Sequence, residues 1–235
     1  MDRLIAIQQA ARERRKLLAV LIDPDKPLTH WLRQPELLSL PQLLLVGGST
    51  GTRIDDCIRT LRTLTTRPLL LFPGNPAQLS PDADALLYLS VLNSRNPDML
   101  VGLHIRAALA VRDLRIETIP MGYILIDGGR PSAAARVADA QPLPASDITG
   151  AVSMAVAAQL LGKQLVYLEA GSGAAHPVPA DLICAVRSEI DIPLLVGGGI
   201  CSPEQARAAW DAGADIVVIG NHFEHSPEQL PLFLP

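Results

Sequence analysis

The stretch from Pro193 to Asn221 limits the folds open to this chain more than any other. Pro193 to Val196 is a short apolar run typical of a buried parallel strand, and three consecutive glycines follow it. Ser202-Pro203-Glu204-Gln205 then supplies the N-cap, the first-turn proline and the capping-box residue of a helix. A second apolar run, Asp215 to Ile219, ends at Gly220-Asn221. This order of strand, glycine loop, helix, strand and glycine turn is typical of the phosphate site after the last two strands of a (β/α)8 barrel.

The rest of the chain repeats the alternation of apolar runs and helical patterns. The expected strands are Leu17–Ile22, Gln42–Val46, Pro68–Phe72, Ala85–Ser90, Thr118–Ile126, Gln164–Leu168, Pro193–Val196 and Asp215–Ile219. We interpret residues 1–235 as a single α/β domain, a TIM-type (β/α)8 barrel with an N-terminal helix, since its length is close to the usual ~250 residues. Pro73-Gly74-Asn75-Pro76 cannot begin a helix promptly, so the barrel is expected to be modified near its third helix. Residues 127–146 lack periodicity and are expected to form a long loop.

An open dinucleotide-binding sheet is the alternative architecture. Such a fold places G-x-G-x-x-G directly after its first strand, and this chain has Asp23-Pro24-Asp25-Lys26-Pro27 there. The sequence therefore favours the closed barrel.

The composition excludes several classes of partner. A net charge of -4 and an aromatic content of 3% provide neither the positive field nor the stacking surfaces of a nucleic-acid-binding protein. No apolar run approaches the ~20 residues that span a bilayer, so stable membrane insertion is not expected. The three cysteines lie far apart, which indicates free thiols and a cytoplasmic location. The five histidines lack the spacing of a zinc site.

Small residues follow three consecutive strands of the predicted barrel. They are Gly171-Ser172-Gly173 after strand six, Gly198 and Gly199 after strand seven, and Gly220-Asn221 after strand eight. Any one group could be an ordinary tight turn. Together they predict a wall of backbone amides at the place where barrels bind phosphate.

Two groups of polar residues are candidates for the chemistry. Tyr167 and Glu169 are two positions apart in strand six, so both are expected to point into the barrel, with Glu169 as a general base. Asp23, after strand one, could bind Mg²⁺ or could cap its loop and pair with Lys26. Ser49, after strand two, could add a hydroxyl to the same site. Asp127, after strand five, could be an acid or base or a turn residue.

With these residues assembled, the chain resembles the geranylgeranylglyceryl phosphate synthase family, including its heptaprenylglyceryl phosphate synthase branch. The resemblance runs nearly end to end. It is carried by Ile22-Asp23-Pro24-Asp25-Lys26, Val46-Gly47-Gly48-Ser49, Phe72-Pro73-Gly74-Asn75, Ser90-Val91-Leu92-Asn93-Ser94, Tyr167-Leu168-Glu169-Ala170-Gly171-Ser172-Gly173, Gly197-Gly198-Gly199-Ile200 and Gly220-Asn221. It implies a prenyltransferase that joins a polyprenyl diphosphate, geranylgeranyl diphosphate in the branch that this chain resembles, to the C3 hydroxyl of sn-glycerol 1-phosphate with Mg²⁺.

The resemblance also implies roles for individual positions. Asp23 and Ser49 would form the magnesium site, and Glu169 with Tyr167 would be the catalytic pair. The implied glycerol 1-phosphate residues are Tyr167, Leu168, Glu169, Ala170, Gly171, Ser172, Gly173, Gly198, Gly199, Gly220 and Asn221. Some members have a lysine where this chain has Leu21, so the resemblance does not extend to that phosphate contact. The family likeness and the apolar composition favour a homo-oligomer, a dimer or a hexamer.

Two other functions fit the same residues. A phosphosugar isomerase could use Asp23 and Asp127 as acid and base across the barrel mouth. A phosphometabolite-binding barrel without activity would need only the glycine wall, although Asp23 and Glu169 disfavour it. An apolar groove near Tyr88, Leu92 and Tyr123 is expected only for the prenyltransferase.

Overall fold

The computed structural model describes residues 2–48 and 53–235, and these form a closed barrel of eight parallel strands in sequence order, with β1 paired to β8. The strands are β1 (Leu17–Ile22), β2 (Leu43–Val46), β3 (Leu69–Leu71), β4 (Ala85–Val91), β5 (Glu117–Leu125), β6 (Leu165–Glu169), β7 (Leu194–Gly197) and β8 (Ile216–Ile219). The closed order confirms the barrel prediction and excludes the open sheet. Within the described residues, no helix combines the length and the apolar composition needed to cross a membrane.

Helices cover the outside of the barrel and one of its ends. The α-helices are α1 (Arg3–Arg12), α2 (Thr29–Arg33), α3 (Ile54–Leu64), α4 (Leu103–Leu114), α5 (Ala133–Val137), α6 (Ile148–Leu160), α7 (Ala180–Glu189), α8 (Pro203–Asp211) and α9 (Asn221–His225). The described residues also form two 3-10 helices, Pro35–Ser39 and Pro227–Phe233, and a π-helical turn, Asp98–Gly102, that leads into α4.

Alternating residues along each strand build two apolar layers. In β6, Val166 and Leu168 pack outward against the helices, whereas Leu165 and Tyr167 point into the barrel. This alternation follows from the two-residue period of a strand, and it places Glu169 inside as the sequence predicted. The inner layer is filled by side chains at the end where the strands begin, so the cavity lies at the carboxyl ends of the strands.

The N-terminal helix α1 closes the end of the barrel where the strands begin. Ile7 and Ala10 are buried against the inner layer, and the Asp2 carboxylate caps the helix by accepting from the amides of Leu4 and Ile5. The amide of Arg3 donates to Glu117 Oε2 at 2.6 Å, at the start of β5. These contacts leave the opposite end of the barrel as its open mouth.

The helix that would normally follow β3 is replaced by irregular chain. Residues 72–84 are all described and contain no helix, which confirms the expected modification. The Gln78 side chain fixes this segment, because it accepts from the Gly74 amide at 2.6 Å and donates to the Gly48 carbonyl at 2.9 Å. The missing helix leaves a gap on the side of the barrel between β3 and α4.

Two short helices, α5 and α9, were not predicted, and the chain enters α4 through an unexpected π-helical turn. The segment expected to be a long loop contains α5, capped by Ser132, whose hydroxyl accepts from the Ala135 amide at 3.0 Å. The turn at Gly220-Asn221 continues into α9. The π-helical turn before α4 is held by Ser90, whose hydroxyl donates to the Leu100 carbonyl at 2.9 Å and accepts from Lys163 Nζ at 2.7 Å. Elements of five residues are too short to show a helical period in sequence.

Candidate active site

One cavity of about 270 Å³ joins the barrel mouth to the gap beside α4. Most of the predicted site residues line it. They are Asp23, Tyr167, Glu169, Ser172, Gly173, Gly198, Gly199, Gly220 and Asn221. Residues from β1 and β6 to β8 therefore meet at the carboxyl ends of the strands, where barrel enzymes have their active sites.

Glu169 is the best-placed acid or base in the cavity. Glu169 is the last residue of β6 and is 7% exposed. Its Oε1 accepts a hydrogen bond from the Gly171 amide at 2.7 Å. Burial raises the pKa of Glu169, and hydrogen bonding from the Tyr167 hydroxyl and the Gly171 amide only partly offsets this effect. A carboxyl whose pKa is raised is a stronger base than an exposed one, and this suits it to accept a proton at neutral pH.

The glycines around Glu169 are required by close packing. Gly198 has φ +82°, and a Cβ at this position would lie 2.5 Å from Glu169 Oε1 and 2.5 Å from the Gly171 nitrogen. A Cβ at Gly197 would lie 2.3 Å from the Tyr167 hydroxyl. These contacts explain why small residues end β7 and follow it, since a side chain there would displace Tyr167 or Glu169.

The loops after β6 and β8 approach each other at the mouth of the cavity. A Cβ at Gly173 would lie 3.7 Å from the Asn221 side-chain nitrogen, so the two loops are nearly in contact. The capping box predicted for α8 is present, with Ser202 and Gln205 bonded reciprocally. The residues of these loops that line the cavity, together with two glycines after β7, are called the glycine clamp: Ser172, Gly173, Gly198, Gly199, Gly220 and Asn221. A wall rich in backbone amides suits a phosphate group.

Asp23 follows β1, the strand that pairs with β8, and its side chain lines the mouth of the cavity. Its Oδ1 accepts from the Asp25 amide at 3.0 Å, and a Cβ at Gly48 would lie 3.0 Å from the same oxygen. No group of three or more His, Cys, Asp or Glu side chains in the described parts of the chain could enclose a metal ion. A single carboxylate nevertheless fits Mg²⁺, which is commonly bound by one or two carboxylates, water and substrate phosphates. Ser49, the other expected metal residue, lies outside the described residues.

The other arm of the cavity is apolar. It runs from Phe72 past Tyr88 to Leu103, Ala107 and Val111 on the inner side of α4. The Tyr88 hydroxyl donates to the His104 carbonyl at 2.7 Å, and the two rings lie 4.3 Å apart between centroids, so Tyr88 is anchored to α4. Tyr88 and Tyr123 line the cavity as expected, whereas Leu92 is not among its lining residues.

Three aromatic rings meet between the two arms. The Tyr123 and Tyr167 centroids are 5.2 Å apart at 89°, and Phe72 lies 5.8 Å from each of them. Burial raises the pKa of both tyrosines well above the usual value, so their hydroxyls stay protonated. We call these three rings the aromatic floor; one of them, Tyr167, is hydrogen-bonded to Glu169 through its hydroxyl.

Several expected residues do not face the cavity. Leu168 is fully buried on the helix side of β6, as the strand period requires, so its side chain cannot contact a ligand at the mouth. Ala170 and Gly171 do not line the cavity, and Gly171 acts instead through its amide on Glu169. Asp127 is exposed outside the cavity, where its Oδ1 accepts from the Gly129 amide at 2.9 Å. The turn interpretation of Asp127 therefore fits better than a catalytic one.

Other lining residues were not singled out as ligand-binding from the sequence. Lys26 and Glu224 face each other at the mouth, and Ala134 and Val137 of α5 border the apolar arm. Lys26 and Glu224 are 198 positions apart, so no local pattern in the sequence connects them. The alanine side chains of α5 have no functional group that would identify them as ligand-binding from the sequence.

Comparison with known proteins agrees with this geometry. Residues 9–231 match the model of the PcrB family. A geranylgeranylglyceryl phosphate synthase from Flavobacterium johnsoniae is 43% identical over 226 residues, covering 93% of this chain and 92% of that protein. One from Thermococcus kodakarensis is 44% identical over 220 residues, covering 90% of this chain and 86% of that protein.

Solved structures give the same result for the whole fold. (S)-3-O-geranylgeranylglyceryl phosphate synthase from Thermoplasma acidophilum, crystallised with its substrate sn-glycerol-1-phosphate, superimposes with a TM-score of 0.93 at 36% identity, covering 100% of this chain and 97% of that one. The Thermoplasma volcanium enzyme gives a TM-score of 0.87 at 35% identity, with 97% and 94% covered. By sequence along nearly its whole length, and by the fold it adopts, the chain belongs to the PcrB family of geranylgeranylglyceryl phosphate synthases.

Proposed function

We propose that the protein is a prenyltransferase that joins a polyprenyl diphosphate, geranylgeranyl diphosphate above all, to the C3 hydroxyl of sn-glycerol 1-phosphate. The observation that carries this proposal is the shape of the cavity: buried Glu169 lies between a polar glycine clamp and a long apolar arm. The clamp suits the phosphate of a small acceptor, and the arm suits a hydrocarbon chain. The names of the similar proteins support the same substrates.

The reaction follows from the positions of these groups. The acceptor phosphate occupies the glycine clamp, which directs the C3 hydroxyl toward Glu169. The bond between C1 of the donor and its oxygen breaks, and diphosphate leaves with the electron pair. The acceptor oxygen forms the ether bond to C1, and its proton passes to the Glu169 carboxylate. Tyr167 keeps that carboxylate oriented.

Magnesium belongs to this proposal as an expected cofactor. Asp23 would hold it at the mouth, together with Ser49 if that side chain faces the same point. When bound, Mg²⁺ supplies the positive charge that neutralises a diphosphate leaving group. Asp23 itself would contribute a carboxylate oxygen that holds the ion at the mouth of the cavity.

The aromatic floor suits the charge that develops on the donor. Cleavage of an allylic carbon–oxygen bond leaves positive charge on the hydrocarbon, and the face of an aromatic ring attracts a cation. Phe72, Tyr123 and Tyr167 lie between the apolar arm and Glu169, where this charge would form. Burial also keeps water away from it.

We also propose that the protein acts as a homo-oligomer, a dimer or a hexamer, in the cytoplasm. Large apolar side chains are exposed on the outer side of α4 and its π-helical turn: Leu100, Val101, Ile105 and Leu109 are 38% to 69% exposed. Such a patch suits contact with another protein surface. Cys57, Cys184 and Cys201 are free thiols, which suits a reducing compartment. Light scattering of the purified protein tests the assembly.

A partition assay tests the proposed activity. The protein is incubated with Mg²⁺, geranylgeranyl diphosphate and radiolabelled sn-glycerol 1-phosphate, and the mixture is extracted with butanol. We expect label in the organic phase, less label with sn-glycerol 3-phosphate, and none when the donor is omitted. If the label stays in the aqueous phase with polyprenyl diphosphates of every chain length tested, the prenyltransferase function is contradicted.

A further inference from the structure

The charge lining the cavity is unusual for a site that would bind two anionic substrates. Among the described lining residues, Lys26 is the single lysine or arginine, whereas Asp23, Glu169 and Glu224 contribute three carboxylates. A phosphate brought next to these carboxylates would be repelled unless positive charge lay close to it. The position of Lys26 therefore matters for anion binding.

Lys26 links the loop after β1 to α9, which follows the neighbouring strand β8. Its amide donates to the Asp23 carbonyl at 3.1 Å, which anchors the residue in the loop after β1. Its ammonium forms an ion pair with Glu224 and lies 3.4 Å from Asn221 Oδ1, both on α9. Asn221 in turn borders Gly173, so the ammonium stands at the rim of the clamp itself.

The ion pair between Lys26 and Glu224 is suited to an exchange in which a phosphate replaces Glu224 as the partner of Lys26. The Lys26 side chain is 45% exposed, and a partly solvated ion pair contributes little net stability. A dianionic phosphate attracts an ammonium more strongly than a single carboxylate does, and it has more acceptor oxygens. Glu224 is less exposed, at 17%, so it remains in place while the longer lysine side chain moves.

We propose that Lys26 binds the phosphate of the acceptor, and that Glu224 forms its ion pair with the Lys26 ammonium only while no acceptor is in the clamp. This inference rests on the proposed function, since it assigns the acceptor phosphate to the glycine clamp. The acceptor is favoured over the donor because both side-chain contacts of Lys26 lie on α9, beside Asn221 of the clamp. Lys26 then supplies the positive charge that the glycines lack.

Calorimetric titration with sn-glycerol 1-phosphate, without donor, tests the role of Lys26. We expect Lys26→Met to weaken binding by roughly tenfold or more, the usual effect of losing a hydrogen bond to a charged group. Lys26→Arg, which keeps the charge, should recover much of the affinity. Arg207→Met is the control for loss of one positive charge, because Arg207 is an exposed residue of α8 outside the cavity lining. Inorganic phosphate as a second probe should show the same order of affinities.

Glu224→Gln tests the exchange. Removing the competing carboxylate should tighten acceptor binding, and this gain should be smaller in the Lys26→Met background because no ammonium remains to be released. A change in binding that is equal in both backgrounds would contradict the exchange. Melting curves of each variant show whether the fold is intact.

The outcomes separate this inference from the proposed function. If the wild-type protein fails to bind sn-glycerol 1-phosphate, the proposed function itself is wrong. If the wild type binds it and Lys26→Met binds within twofold of the wild type, the role of Lys26 is wrong and the function stands. A Lys26→Met variant that loses affinity only for the polyprenyl diphosphate would also overturn the inference, because it would assign Lys26 to the donor.

Discussion

The Gly171 amide donates a hydrogen bond to Glu169 Oε1 at 2.7 Å, so the loop that follows β6 orients the carboxylate at the end of that strand. The same loop supplies Ser172 and Gly173 to the glycine clamp. A single local turn therefore positions both the proposed proton acceptor and part of the proposed phosphate site.

Glu169→Gln separates catalysis from acceptor binding. The amide oxygen can still accept from the Gly171 amide, but it cannot take the proton of the acceptor hydroxyl. We expect kcat to fall by about 10²–10⁴-fold, with acceptor affinity measured by calorimetry close to that of the wild type. A variant that keeps more than a tenth of the wild-type rate would show that another group accepts the proton.

The same variant should be more stable than the wild type at neutral pH. Burial raises the pKa of Glu169 in the folded protein above its value in the unfolded chain. The stability that the folded protein gains by binding this proton is therefore fully present below the unfolded pKa and is lost as the pH rises through the folded pKa. Above that range the folded protein carries a buried charge that glutamine removes. We expect a gain of about 1 kcal/mol, or a melting temperature higher by about 2–4 °C, that vanishes at acid pH. An equal gain at every pH would show that the charge is not its cause.

Gly198→Ala tests the close packing behind Glu169, and Gly162→Ala is its matched control. The two glycines have nearly the same φ, +82° and +81°, but a Cβ at Gly162 would meet nothing within 4 Å. Backbone strain should cost about 1–2 kcal/mol in both variants. Only Gly198→Ala should also displace Glu169 and lower kcat/KM. Urea unfolding measures the loss of stability, and steady-state kinetics measure the loss of activity. Equal kinetics in the two variants would remove the steric argument.

Asp23→Asn tests the proposed magnesium site. Loss of the carboxylate should lower kcat by about 10²-fold or more and should require higher Mg²⁺ concentrations for the remaining activity. Acceptor binding without metal should be nearly unchanged, because Asp23 is not among the residues that form the glycine clamp. Equal loss of acceptor binding and turnover would argue that Asp23 supports the loop rather than the ion.

Ala107→Phe tests the apolar arm, with Ala110→Phe as its control on the exposed side of α4. Ala107 lines the cavity and Ala110 does not, so only the first substitution shortens the space for a hydrocarbon chain. We expect the preference for geranylgeranyl over farnesyl diphosphate to fall by roughly tenfold, within the range that apolar pockets discriminate. An unchanged preference in competition assays would place the donor chain elsewhere.

Much of this architecture was predictable from the sequence. The apolar runs determined the eight strands, because buried parallel strands leave a continuous signal, and the period of two placed Tyr167 and Glu169 inside. The Ser202 capping box was readable because its members are three positions apart. These features depend on neighbours along the chain.

The features that were missed depend on residues far apart in sequence. Lys26 meets Glu224 only because the barrel closes between β1 and β8, and no local pattern records that contact. Leu168 is a different case, because the family motif implied a ligand contact while the local alternation of β6 turns its side chain away from the cavity. The helix α5 is short and rich in alanine, so its place beside the apolar arm is a result of tertiary packing.

Attack of the acceptor hydroxyl on the donor carbon is the central step of the proposed function. It is tested most directly with sn-glycerol 1-phosphate that carries ¹⁸O at the C3 hydroxyl, incubated with geranylgeranyl diphosphate, Mg²⁺ and the wild-type protein. Mass spectrometry should find the heavy oxygen in the ether lipid and none in the released diphosphate, with a strongly reduced yield for Glu169→Gln. Absence of the ether lipid, or heavy oxygen in the diphosphate, would contradict the proposed reaction.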